Sequence, residues 1–196
     1  LNFEKKKCDL IVYSGGWSPA VHLHSQSGGK NKWDSDRHCF IPESNPQAPF
    51  SVGSCNGTWG LGECFAESIK CAQEINSHLG LEMTVQTLPK VRKIKVSQMM
   101  PLWQVKSKES VESLPKQFLD YQNDTTVSDI YLAVREGYTG IEHVKRYTAL
   151  GFGTDQGKLG NINGMAVLAQ ALDKPIAQIG TTTFRPAYTP VSFGVC

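Results

Sequence analysis

The sequence predicts an α/β chain with a small all-helical module attached. Three observations point there. A short apolar run rich in β-formers, CDLIVYS (residues 8–14), ends on Gly15-Gly16 and reads as a buried strand entering a tight turn. The stretch LGECFAESIKCAQEINSH (residues 61–78) sets Leu61, Phe65, Ile69, Ala72 and Ile75 at helical spacing. Between residues 119 and 174, three short helical patterns follow one another, parted by glycine-bearing turns.

Four regions result. In 1–80, Pro19 permits a fresh start after the first strand, and AVHLHSQ (20–26) forms at least one helical turn. HCFIPE (38–43) is a second short strand stopped by Pro42, and PFSV (49–52) has strand character before the glycines of GSCNG. The helix over 61–78 closes this region. Region 81–118 is a connector across the surface: Pro89 interrupts it, PLWQVK (101–106) reads as a strand, and Lys90, Arg92, Lys93 and Lys95 read as a solvated edge. Region 119–174 is the helical module. Thr125 or Thr126 caps its first helix, Asp129 places charge near the start, Ile130, Ala133 and Val134 form the stripe, and Gly137 ends it. GIEHVKRYTAL (140–150) ends at Gly151, and NGMAVLAQAL (163–172) follows a glycine loop. A module of this size has a marginal core and leans on its neighbours. Region 175–196, with prolines at 175, 186 and 190 and no periodicity, reads as an extended linker.

Composition excludes several functions. The 196 residues are 40% hydrophobic and 19% charged, which is ordinary for a globular chain. A net charge of +2 gives no footprint for nucleic acid. No apolar run approaches the ~20 residues of a membrane span, and no secretory signal opens the chain. The start at Leu1 and the close on TPVSFGVC predict an interior piece of a longer polypeptide. The six cysteines make no C-x-x-C pair, and Cys64 and Cys71 lie about two helical turns apart, too far for a disulfide. They read as free thiols in a reducing, cytoplasmic compartment.

The loop GFGTDQGKLG (151–160) has the look of a phosphate cradle, yet it fits neither nucleotide motif. Its glycines do not follow G-x-G-x-x-G, a helix rather than a strand precedes it, and Leu159 stands where a Walker loop needs Ser or Thr. Together with VREGYTGIEHVKRYTAL before it, the loop resembles the small modules related to bacterioferritin-associated ferredoxin. There a C-x-C opens the first helix and G-M-G-x-C-Q-G-x-x-C supplies two further thiolates to a two-iron cluster. In this chain those four positions fall on Asp120, Gln122, Asp155 and Gly160. Thiolates hold such clusters, so the resemblance implies a cluster-type backbone without its cluster.

The runs FLDYQNDTTVSDIYLAVREGYTGIEHVKRYTALGFGTDQGKLGNINGMAVLAQ, FRPAYTPVSFG and SGGWSPAVHLHSQSGGK resemble the α subunit of heterotetrameric sarcosine oxidases. The likeness covers nearly the whole chain, least over 79–118. It implies that residues 1–80 are the C-terminal part of an FAD/NAD(P)-type dinucleotide-binding domain. DLIVYSGGWSP is similar to the D-hydrophobic-hydrophobic-x-x-x-G-x-x-P strand-turn of flavoprotein reductases, and FSVGSCNGTWGL to their closing G-D motif, with Ser54 in the place of the aspartate. The implied NAD contacts are Ser14, Gly15, Gly16 and Trp17 on one segment and Gly53, Ser54, Cys55 and Asn56 on the other, with the 151–160 loop outside the site. Gly15 and Gly16 either let a ligand approach the backbone or form a plain turn.

The resemblance also implies partners: β, γ and δ subunits, with FAD and FMN on or shared with a partner. Tetrahydrofolate would sit on an aminomethyltransferase-like domain after residue 196. The implied reaction is the oxidative demethylation of sarcosine to glycine, giving hydrogen peroxide and methylenetetrahydrofolate. No catalytic residue and no metal ligand is expected in this chain. Two alternatives stand beside it: a related amino-acid or opine dehydrogenase subunit, and a scaffold module without turnover. His22 and His24, as H-x-H, are either metal ligands or packing residues. His143, Lys145 and Arg146 either face a flavin phosphate at a subunit interface or form a solvated helix face.

Overall fold

The computed structural model describes residues 4, 6–12, 15–47, 50–82, 84, 87–94, 99–186 and 189–195. The first element is the short helix α1 (His22–Gln26), in the stretch expected to be helical. An antiparallel ribbon follows: β1 (Lys30–Asp34) pairs with β2 (Cys39–Ser44) in the register Trp33↔Phe40 and Asp34↔Cys39. The Asp34 carboxylate closes the turn by accepting the amides of Asp36 and Arg37 at 3.0 and 2.9 Å and an Arg37 guanidinium N–H at 2.8 Å. Trp33 meets Phe40 edge-on at 5.0 Å, and through Phe40 the ribbon reaches the main core.

A 3-10 turn (Gly53–Asn56) leads to α2 (Leu61–Leu79), which stops at Gly80 in the left-handed region, φ 66°. The expected helix is present, but none of its residues is fully buried. Phe65, Ile69, Ala72 and Ile75 stay half-exposed, so the apolar stripe that makes the helix legible has only part of its cover.

The helical module holds the core. Strands β3 (Phe118–Asp120) and β4 (Thr125–Thr126) form a minimal hairpin that feeds α3 (Val127–Arg135). Thr126 caps α3 as expected: its amide reaches the Asp129 carboxylate at 2.8 Å, completing a capping box. Next come α4 (Ile141–Thr148), α5 (Asn161–Ala171) and α6 (Ile176–Ile179). Helix α5 is the centre of the module, with Met165 to Ala169 buried against Ile130, Val144 and Leu150. A Cβ on Gly164 would run into the Leu150 side chain, so glycine permits the close approach.

Five expectations differ from the structure. Residues 8–12 form no strand, and Leu10, Ile11 and Val12 are 77%, 75% and 85% exposed. A strand of a parallel sheet is stable only between partner strands, and among the described residues none lies beside it. Residues 50–52 and 101–106 are also outside any strand, while β1 and the β3–β4 hairpin form where no strand is expected. The C-x-C resemblance places Asp120 and Gln122 at a helix start, but they end β3 and enter its turn. Residues 175–186, read as linker, contain α6 and the buried Thr182 and Phe184. The described part of the basic run, Lys90, Arg92 and Lys93, is exposed as expected; Lys95 is outside the described residues.

Candidate functional site

Three concave regions surround the glycine loop. The first is a cavity of about 340 Å³ walled by Trp17, His22, Ser54, Trp59, Lys158 and Phe184. Helix α1 carries His22 into it, the 3-10 turn presents Ser54, and the stretch after α6 supplies Phe184. The His22 and Phe184 ring centroids are 3.7 Å apart. Burial, reinforced by the nearby Lys158 charge against a smaller pull from Asp155, drops the His22 pKa to about 4. The imidazole is therefore neutral at physiological pH.

A groove of about 470 Å³ adjoins it. The two share Trp17, Ser18 and Lys158 as walls, and the groove continues along Gly16, Asp120, Gln122, Asp155 and Gly160. The four positions that the ferredoxin resemblance singles out thus converge in space. Each of the three with a side chain ties the loop down. The buried Asp120 carboxylate accepts the Gly151 amide at 2.7 Å and the Gln122 amide at 2.8 Å. Gln122 donates to Thr154 Oγ1 at 3.0 Å and accepts the Asp155 amide at 3.3 Å. Asp155 accepts the amides of Gly157 and Leu159 at 3.0 and 3.2 Å. Gly160 packs so close to the Leu119 carbonyl that a Cβ would collide with it. Gly151 and Gly157 have φ of 72° and 75°, and both press on the Asn161 side chain. The glycines therefore serve curvature and close packing.

The expected dinucleotide residues distribute unevenly. Ser14 lies outside the described residues. Gly15 is exposed with open space around it, and Gly16 lines the groove at φ 80°. Trp17 and Ser54 meet at the cavity. Gly53, Cys55 and Asn56 are occupied in the turn: the Gly53 amide and Asn56 Nδ2 each donate to the Glu67 carboxylate at 2.6 Å, and Cys55 Sγ donates to the Val52 carbonyl at 3.0 Å. Gly157 and Lys158, which the sequence reading sets apart from this site, line the same cavity. Lys158 and Phe184 were invisible as candidate site residues, because no spacing rule joins them to Trp17 and Ser54, more than a hundred positions away, whereas Trp59 lies within the FSVGSCNGTWGL segment itself.

The third region, about 320 Å³, gathers Lys145, Arg146 and Arg185 around Phe152, Gln156 and Glu142. Lys145 does not lie on a solvated face: it is only 5% exposed. Its Nζ donates to the Thr183 carbonyl at 2.8 Å and lies 5.7 Å from the Phe152 ring centroid. Burial lowers its pKa; Glu142 opposes the shift, and Arg185 and Arg146 add to it. His143 is exposed and does not join this region. His24 Nε2 is bonded to the Lys30 carbonyl at 3.1 Å. Among the described residues no group of three or more His, Cys, Asp or Glu side chains is placed to hold a metal, and the described cysteines 8, 39, 55, 64 and 71 are free thiols. No helix among them is long and apolar enough to cross a membrane.

Comparison with known proteins defines the class first: the chain is a small mixed α/β unit related to subunits of oxidoreductases. At the level of fold alone, it aligns over 91% of its length with 37% of the L-proline dehydrogenase chain from P. horikoshii, with TM-score 0.64 and 18% identity. More particularly, it is homologous to sarcosine oxidase subunit alpha. It is 39% identical to that subunit from Rhizobium meliloti (strain 1021) over 187 residues, and 33% identical to that from Corynebacterium sp. (strain P-1) over 194 residues. These alignments cover 95% and 97% of the chain but only 18% and 20% of the relatives, so the chain spans about a fifth of their length. Residues 114–196 match the sarcosine oxidase A3 domain family.

Proposed function

We propose that this chain is the part of a sarcosine-oxidase-type α subunit that binds NAD and braces the complex around it. The observation that carries the reading is the meeting of Trp17 and Ser54, from two segments 37 positions apart, at one cavity beside the homologous A3 region. Residues 1–80 act as the end of an FAD/NAD(P)-type dinucleotide domain, 81–118 as a connector, 119–174 as a ferredoxin-like module without a cluster, and 175–196 as the approach to a folate-binding domain. In the module, the Asp120, Gln122 and Asp155 staples do the holding that thiolates and iron do in a cluster-bearing relative. The whole protein oxidises sarcosine with oxygen, passing the one-carbon unit to tetrahydrofolate. Hydride acceptance needs a flavin, since side chains do not supply that chemistry. The flavin belongs to or is shared with a β subunit, and γ and δ subunits complete the assembly.

The cationic region at Lys145, Arg146 and Arg185 favours one elaboration of this reading. Three cations beside an aromatic ring suit an anionic group such as a flavin phosphate at the β-subunit interface. A related amino-acid or opine dehydrogenase subunit would use the same parts with a different amine.

Titration of NAD, followed by the fluorescence of the four tryptophans, tests the reading. One saturable site is expected. Gly16→Val should weaken it at least about tenfold, because a branched side chain is strained at φ 80° and intrudes on the groove. No saturable binding to the wild-type protein would refute it.

A further inference from the structure

The sequence divides the dinucleotide segments from the glycine loop, but the cavity and the groove do not respect that division. Trp17, Ser18 and Lys158 are walls of both. Beyond this junction the two spaces differ in chemistry. The cavity carries aromatic rings among aliphatic walls: Trp17, exposed at the rim, and Trp59 stand on one half of the chain, and Phe184, tilted against the buried His22, comes from the other. The groove sets the apolar surface of Tyr121 and Leu159 beside two carboxylates, Asp120 and Asp155, which repel an anion. An aromatic chamber of about 340 Å³ takes one ring system rather than a whole dinucleotide. Lys158 stands at the passage, its Nζ donating to the Asp155 carbonyl at 3.3 Å. Its charge is felt inside the cavity, where it helps hold His22 neutral. Neutral aromatic walls opening on a lysine at the mouth suit a flat heteroaromatic ring joined to a phosphate.

We propose that the second half of the chain closes the dinucleotide site: the ring of a nucleotide enters the Trp17–Trp59–Phe184 cavity, and Lys158 holds its phosphate at the mouth. This rests on the NAD reading above and adds to it that the 151–160 loop and residues 181–184 are binding elements. Both halves of NAD carry the required chemistry, a planar heterocycle on a ribose phosphate. AMP and nicotinamide mononucleotide therefore distinguish which half enters.

The test is NAD titration into wild-type protein and two variants at positions that the core does not need. Ser18 is exposed and lines both spaces, so Ser18→Trp should plug the passage and weaken NAD at least about tenfold. Lys158→Met keeps the stem and removes the charge, and should weaken NAD and whichever mononucleotide competes by about three- to tenfold, with steeper salt dependence in the wild type. Unchanged thermal unfolding of each variant shows that the fold is kept. If wild-type protein binds NAD and both Ser18→Trp and Lys158→Met bind it normally, this inference is overturned while the NAD reading stands. If wild-type protein does not bind NAD, both fall.

Discussion

His22 shows how one residue takes its chemistry from its surroundings. In H-x-H it is a candidate metal ligand. Packed on Phe184 at 3.7 Å and near Lys158, it is a neutral ring with a pKa of about 4. An unfolded histidine titrates near 6.5, so between the two values the unfolded chain binds more protons than the folded one. Stability from this group is fully present above about pH 6.5 and is lost as pH falls towards 4. Thermal unfolding at pH 7.5, 5.5 and 4.5 should show a steeper acid loss of Tm for wild type than for His22→Gln; parallel curves would remove His22 as the cause. Gly157 makes a similar point. Its φ of 75° and its contact with Asn161 mean that Gly157→Ala disturbs the cavity wall, so it cannot serve as a neutral control for nucleotide binding.

Among the elements, the glycine loop is held by side chains from outside itself. Asp120 is 31 positions from Gly151, yet its carboxylate is the partner of that buried amide. Asp120→Ala should cost about 1–3 kcal/mol by leaving the amide unpaired, with amide exchange rising across residues 150–160 before it rises in α5. Uniform exchange with no loss of stability would contradict the staple. Thr126→Ala, which removes a capping hydroxyl from α3, should cost about 1 kcal/mol in chemical denaturation. The helices were legible because caps and 3.6-residue periodicity are local: Thr126, Asp129, Ile130 and Ala133 all keep their expected roles. The strands were not. CDLIV announces burial without saying what buries it, and KNKWD becomes β1 only because Asp34 turns the chain so that Trp33 lies across from Phe40. The candidate cavity was legible in part. Trp17 and Ser54 follow from their segments, while Lys158 and Phe184 reach the cavity only through tertiary packing.

Across the whole molecule, the well-buried core lies in the helical module, while α2 and residues 10–12 keep apolar surface exposed. That distribution suits the proposed bracing role, in which α2 and residues 10–12 would pack on other protein. The module should also be free of iron: with Asp120, Gln122, Asp155 and Gly160 in place of thiolates, purified protein should lack stoichiometric iron and sulfide and the charge-transfer absorption of a cluster. The central claim is that this chain holds a nucleotide and supports the complex but does not oxidise the amine. Its most direct test supplies sarcosine, flavin, NAD and oxygen to the purified protein and measures peroxide. The account predicts no more peroxide than a flavin-only control releases; sustained release above that control would place the oxidising centre in this chain and contradict it.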